Sequence, residues 1–128
     1  MPDESLLYVV ESRATPHRKI WAWDHDAGGQ LSGKRLAVDA QGPGAIDGFR
    51  VDVAGNLWCG WGSNGAADAD LEALDGVRVF APDGVAIGHI HLPERCANVC
   101  FGGRHRNRLF MAASHSVYAL YVNTQGAA

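Results

Sequence analysis

"DGFRVDVAGNLWCG" runs from Asp47 to Gly60. Phe49 and Val51 alternate with polar neighbours before "VAGN", and Leu57 and Cys59 alternate after it. Successive side chains of a strand point to opposite faces, so this pattern predicts a strand, a tight turn over 53–56 and a second strand. The stretch also opens on a carboxylate followed by glycine. Either Asp47 only shapes a turn, as Asp-Gly pairs commonly do, or it is aimed at something.

The pattern recurs along the chain. "LLYVVES" (6–12) is followed by "KIWAWDHD" (19–26), "NLWCGWGS" (56–63) by "GVRVFAPDG" (76–84), and "RLFMAAS" (108–114) by "SVYALYVN" (116–123). The leucines at the head of each copy are Leu7, Leu57 and Leu109, a period of about 50 residues, which falls in the range of propeller blades. "IDGFRVDVAGN" (46–56) and "ANVCFGGRHRN" (97–107) place a strand ahead of the second and third copies. "LSGKRLAVDA" (31–40) and "VAIGHIHLP" (85–93) fit a further strand per unit. Roughly four strands per repeat predict an all-β chain of about three four-stranded β-propeller blades. "ADADLEALDG" (67–76) has room for one helical turn.

Within a blade, "DGFRVDV" is expected innermost, then "NLWCGW", "GVRVFAP" and, at the outer edge, "VAIGHIHL". Neighbouring strands run antiparallel, so the start of an innermost strand lies beside the end of the second. Asp47 and Asn98 then occupy equivalent repeat positions on one rim, at the mouth of a central channel. The loops after the second strands, Glu11–Ser12, Trp61–Asn64 and Ser114–His115, reach the same rim. The turns at 53–56 and 104–107 go to the other.

Bulk properties bound the function. The chain has 128 residues, 47% apolar and 20% charged. That supports a packed core and a single domain over 1–128. A net charge of −3 with scattered Arg and Lys gives no nucleic-acid footprint. No run approaches the ~20 apolar residues of a membrane helix. The acidic opening "MPDESLLYVVES" does not read as a secretory leader, so a cytoplasmic setting is expected. Cys59, Cys96 and Cys100 are an odd number and suggest no disulfide scaffold. Sixteen glycines fall mostly between short apolar runs, the texture of a turn-rich β protein.

"IDGFRVDVAGNLW", "GVRVFAPDGVAIGHIHLPERCANVCFGG" and "RLFMAASHSVYAL" together resemble the senescence-marker-protein/gluconolactonase family, which includes regucalcin. The resemblance implies a six-bladed propeller. It also implies hydrolysis of sugar lactones or related esters with one divalent metal, calcium or zinc, at the channel mouth. The family's Asp-Gly motif maps onto Asp47 and Gly48, making Asp47 the implied metal ligand and proton-transfer group. The family's other ligands, a glutamate of the first blade and the asparagine of an Asn-Gly motif, have no counterpart. The likeness covers the family's C-terminal half, three blades of six.

Other residues carry weaker signals. Asn98, Glu11, Trp61 and His115 are candidate substrate contacts on the rim, against readings as a satisfied inner-strand amide, a rim carboxylate, a core indole and a solvated loop. His89 and His91 share one face of an outer strand and read as a partly exposed edge rather than a zinc pair. Cys96 and Cys100 lack the second pair that a tetrahedral zinc site needs. Cys59 and Cys100 read as small core residues, and Trp21, Trp23, Trp58 and Trp61 as packing between sheets. No G-x-S-x-G elbow supports a serine nucleophile.

Three classes of function remain open: a metal-assisted lactone or ester hydrolase, a non-catalytic cation- or sugar-binding module, and a structural assembly subunit. Half a ring would expose two apolar blade faces, so a homodimer closing the ring is expected.

Overall fold

The computed structural model describes residues 4–127. The first three residues of the opening stretch, read above as no leader, lie outside the described residues. Among the described residues ten strands form three antiparallel sheets. Sheet one holds β1 (Leu6–Glu11), β2 (Lys19–His25) and β3 (Leu31–Asp39), in the order β1-β2-β3. Sheet two holds β4 (Gly44–Val51), β5 (Leu57–Ser63), β6 (Gly76–Phe80) and β7 (Ala86–His91), paired in chain order. Sheet three holds β8 (Cys96–Gly102), β9 (Arg108–Ala113) and β10 (Val117–Tyr121), with β9 in the middle. A single helical turn, α1 (Leu71–Leu74), joins β5 to β6, capped by the Asp70 side chain on Ala73 N.

The opening hairpin forms as its pattern requires. β4 and β5 pair from Gly44↔Ser63 to Val51↔Leu57. The turn closes through Asp52 N to Asn56 O and Gly55 N to Asp52 O, both 3.0 Å. Gly55 sits at φ 86°, a conformation that costs a side-chain-bearing residue dearly.

Burial lies between sheets. Ile20 and Val38 of sheet one pack against Ile46, Leu57, Cys59, Trp61 and Phe80 of sheet two. On the far side of sheet two, Val77 meets Cys96, Val99, Leu109 and Met111 of sheet three. Sheet two is therefore covered on both faces, which is why "LWCGW" is apolar throughout instead of alternating with polar residues. Each large aliphatic side chain so buried contributes roughly 1.5–3 kcal/mol. The stacking of successive antiparallel sheets, with β4 and β8 innermost in sheets two and three, is that of neighbouring propeller blades.

Three details depart from the sequence reading. Among the described residues the flanking sheets carry three strands each, and sheet two alone has four. Trp21 and Trp23 leave the inter-sheet core: Ile20 and Ala22 take the buried face of β2, and Lys34 lies over both indoles on the other, 4.5 and 5.6 Å from the ring centres. Cys100 is exposed, because the alternation of β8 turns Val99 inward and Cys100 away from sheet two.

Candidate functional site

The innermost strands β4 and β8 both break register at their starts. The pairing of β4 with β5 shifts between Ile46↔Trp61 and Phe49↔Cys59. That of β8 with β9 shifts between Cys96↔Ala113 and Asn98↔Ala112. Such bulges re-aim side chains and collect next to functional sites. Asp47 and Gly48 occupy the first bulge, and Ala97 and Asn98 the second.

The bulges correct the expected equivalence of Asp47 and Asn98. Phe49 pairs two residues past Leu57, and Val99 pairs with Met111, two past Leu109. Ile46 and Cys96 likewise both pair four past those leucines. Asp47 thus corresponds to Ala97, and Gly48 to Asn98. Across the seam between blades, Asn98 packs on Gly48: a Cβ at Gly48 would lie 2.2 Å from Asn98 Oδ1 and 2.9 Å from Ala97 O. Gly48 is what allows the two innermost strands to approach.

Asp47 differs from the chain's turn-forming aspartates. Asp26, Asp39, Asp52 and Asp83 each accept, on Oδ1, the backbone N–H two residues on, at 2.9–3.0 Å. Asp47 makes no such bond, and among the described residues no hydrogen bond or ion pair reaches its half-buried carboxylate. The turn-shaping alternative is not what the geometry shows. Its electrostatic neighbour is Cys96, whose thiol is held above the ordinary range by burial first, and also by the Asp47 charge. Cys96 Sγ donates to Asn98 O at 3.3 Å, a bond within β8 that spans its bulge. Sequence reasoning missed Cys96 as the neighbour of Asp47. The bulges bring the two together across blades, and no spacing rule marks that.

The other candidates scatter. Asn98 is exposed, its Oδ1 accepting Val99 N at 2.9 Å. Glu11, at the end of β1, accepts Trp21 Nε1 at 2.8 Å. His115 lies in the loop after β9, its backbone N–H and Nδ1 both on Glu94, at 3.1 and 3.0 Å. Trp61 is 1% exposed and packs on Phe80, which removes it from a substrate-contacting rim; β5 points its side chain into the core between sheets one and two. The structure thus brings together Asp47, Gly48, Cys96 and Asn98, and leaves Glu11, Trp61 and His115 elsewhere.

A metal centre can be tested against this donor set. Calcium takes ~6–8 oxygen ligands and zinc commonly four protein donors or three plus water. Among the described residues no group of three or more His, Cys, Asp or Glu side chains converges. Among the described residues the seam supplies one spare carboxylate, and their side chains do not make up a complete divalent-cation centre.

Three stacked antiparallel sheets, with the innermost strands β4 and β8 side by side and an unpaired carboxylate at one end of that seam, define part of a propeller with a candidate site at its channel rim. The description of the SMP-30/Gluconolactonase/LRE-like region matches residues 1–115, and the chain belongs to that family. It is 33% identical over 135 aligned positions to a gluconolactonase of Zymomonas mobilis, covering 98% of this chain and 34% of that protein. The structure of a gluconolactonase from Xanthomonas campestris superposes with a TM-score of 0.71 at 32% identity, over 94% of this chain and 35% of that one. A regucalcin structure from Agrobacterium tumefaciens shares the fold, with a TM-score of 0.74 at 22% identity, over 98% and 44%. The chain spans between a third and a half of the length of these relatives, which fits half of a propeller. No helix among the described residues is long and apolar enough to cross a membrane.

Proposed function

We propose that this chain supplies one half of a sugar-lactone hydrolase, with Asp47 as the proton-accepting carboxylate at the channel mouth. The observation that carries the reading is the half-buried Asp47 carboxylate, set in a bulge of the innermost strand and left without a donor. A carboxylate with free lone pairs beside a channel can take a proton from water as that water attacks a lactone carbonyl. The ring C–O bond then breaks, the alkoxide oxygen takes a proton, and the product is the open hydroxy acid. The related gluconolactonases support the substrate class.

For completing the site, a second copy of the chain is our choice. Leu7, Val9 and Leu36 are exposed on the outer face of sheet one, and Val117 and Tyr121, at 71% and 70% exposure, on that of sheet three. A two-fold axis would bring sheet one of each copy against sheet three of the other, closing six sheets into a ring. Two Asp47 carboxylates would then face one channel, a donor set to which calcium or zinc could add its charge.

The test is acid release from glucono-1,5-lactone above the spontaneous rate, for the wild type and Asp47→Asn, with and without added calcium. Loss of turnover at unchanged unfolding midpoint is expected of the variant. Wild-type protein no faster than buffer sinks the hydrolase reading. An equally active variant sinks the role of Asp47. Light scattering at micromolar concentration is expected to give a mass of twice the 13.7 kDa chain; a monomer refutes ring closure.

A further inference from the structure

A second concave feature, whose lining omits Asp47, Cys96 and Asn98, lies in the wedge between sheets one and two. This cavity of about 500 Å³ is lined by the connection from Asp39 to Gly44, by Trp61, Arg78 and Phe80, and by the turn at 84–86. Both walls belong to adjacent sheets of one chain, so the cavity depends neither on ring closure nor on the channel mouth.

Arg78 is the cation in its lining. The guanidinium carbon sits 5.3 Å from the Trp61 ring centre and 5.8 Å from that of Phe80. Stacking on two aromatic faces fixes its orientation. Yet among the described residues Arg78 makes no hydrogen bond and no ion pair, so its five N–H donors lack an acceptor in the chain. The contrast is with Arg18 and Arg95, whose guanidinium groups donate to Ile46 O and Ser63 O at 2.8 and 2.7 Å. His89, paired with Arg78 across β6 and β7, has its pKa lowered by burial first and then by His91, so it stays neutral at pH 7 and leaves Arg78 the fixed positive charge.

Two further polar groups border the cavity. Trp61 Nε1 is buried with no partner. A Cβ at Gly44 would lie 2.8 Å from that nitrogen and 2.2 Å from Cζ2, so only a glycine lets the indole that backs this wall pack so close to β4. At the loop wall, Asp39 Oδ1 accepts Gln41 N at 3.0 Å and lies 3.5 Å from His17 Nδ1, while Oδ2 remains free to accept.

From these features we infer that the wedge binds a small hydroxycarboxylate, its carboxylate on Arg78 and a hydroxyl on Asp39. A planar guanidinium held by stacking matches a carboxylate through two parallel N–H···O bonds. The carboxylate of Asp39 accepts from a hydroxyl and repels a second anionic group, which selects a monoanion with hydroxyls over a polyanion. The volume lies within the range of small-ligand pockets.

Sodium gluconate is the probe, titrated into the full-length chain while backbone amide shifts are followed by NMR. Saturable binding is expected, with shifts centred on Gln41, Gly42 and Arg78. Arg78→Gln should weaken it at least about tenfold, the loss expected for one charge-assisted pair. Asp39→Asn should also weaken it, and it tests the site from the opposite wall should Arg78→Gln fail to fold. Asp47→Asn should bind as the wild type does, which separates the wedge from product binding at the channel mouth. The inference is overturned if the wild type does not saturate at millimolar gluconate, or if both wedge variants bind unchanged. It is equally overturned if Asp47→Asn abolishes the shifts, or if inorganic phosphate binds where gluconate does not.

Discussion

Asp52→Ala is expected to destabilise the chain by about 3–4 kcal/mol. Asp52 is fully buried at the exit of β4 and accepts four hydrogen bonds: from Ala54 N and Asn56 N at 2.9 Å, Asn56 Nδ2 at 3.0 Å and Trp58 Nε1 at 2.9 Å. A hydrogen bond to a charged acceptor contributes about 1.5–3 kcal/mol, and a buried donor left alone costs about 1–3 kcal/mol. Ala54 is exposed and its N–H regains water on truncation, so the loss rests mainly on the two Asn56 donors and the half-buried Trp58 indole. About 1 kcal/mol for each of these three, plus a fraction for the void, gives the stated figure. With a urea slope of about 1.5–2 kcal/mol/M, the unfolding midpoint should fall by roughly 2 M. Asp52→Asn keeps Oδ1 but turns an amide N–H₂ toward two donors, so about 2 kcal/mol is expected to go. Urea unfolding followed by tryptophan fluorescence measures both. A loss under about 1 kcal/mol for Asp52→Ala, at unchanged slope, would show that water replaces the carboxylate and that the turn is not held by it. Asp47→Ala makes the control, expected within about 0.5 kcal/mol of wild type because no donor in the chain depends on it.

Gly48→Ala should cost about 1–3 kcal/mol by overpacking the seam between β4 and β8; Asn98→Ala in the same chain should recover part of it, and strict additivity in a double-mutant cycle would refute the contact. The Glu94 carboxyl is held below the usual carboxylate range, first by the His115 backbone N–H and then by the His115 side chain. Its folded pKa lies below the unfolded value, so its contribution is full above roughly pH 4.3 and disappears as pH falls through the folded pKa. The stability gap between wild type and Glu94→Gln should therefore close between pH 6 and pH 3, and a gap constant in urea melts across that window would sink the assignment. Burial pushes the thiols of Cys59 and Cys96 up, whereas Cys100 is exposed; a disulfide reagent should titrate one thiol rapidly in the native state and the other two on unfolding, and two fast thiols would contradict the packing of β8.

The blade architecture was legible because its signals are local. Alternation in "FRV" and "LWC", a Gly at the turn, and leucines recurring at Leu7, Leu57 and Leu109 need no knowledge of the rest of the chain. What was not legible depends on which sheet covers which face. Trp21 and Trp61 sit in similar alternating runs, yet Trp61 is sealed between two sheets and Trp21 looks outward beneath Lys34. Sequence periodicity assigns a side chain to a face, and only the neighbouring sheet decides whether that face is core.

The site was half legible for a related reason. Asp47 and Asp52 stand five residues apart in one stretch, each followed by a small or apolar residue and then a turn or bulge, and composition gives them the same prior. The difference between them lies in donors. Asp52 is closed by Asn56 and Trp58, residues of its own hairpin, whereas the surroundings of Asp47 come from β8, about fifty residues on, through two bulges that place Asn98 against Gly48 and Cys96 near the carboxylate. A carboxylate saturated within its own hairpin is spent on the fold. One that is half-buried at the seam between blades and meets no donor keeps its lone pairs for something that is not part of the chain, and that distinction, rather than the Asp-Gly pair itself, separates the candidate functional residue from the structural one.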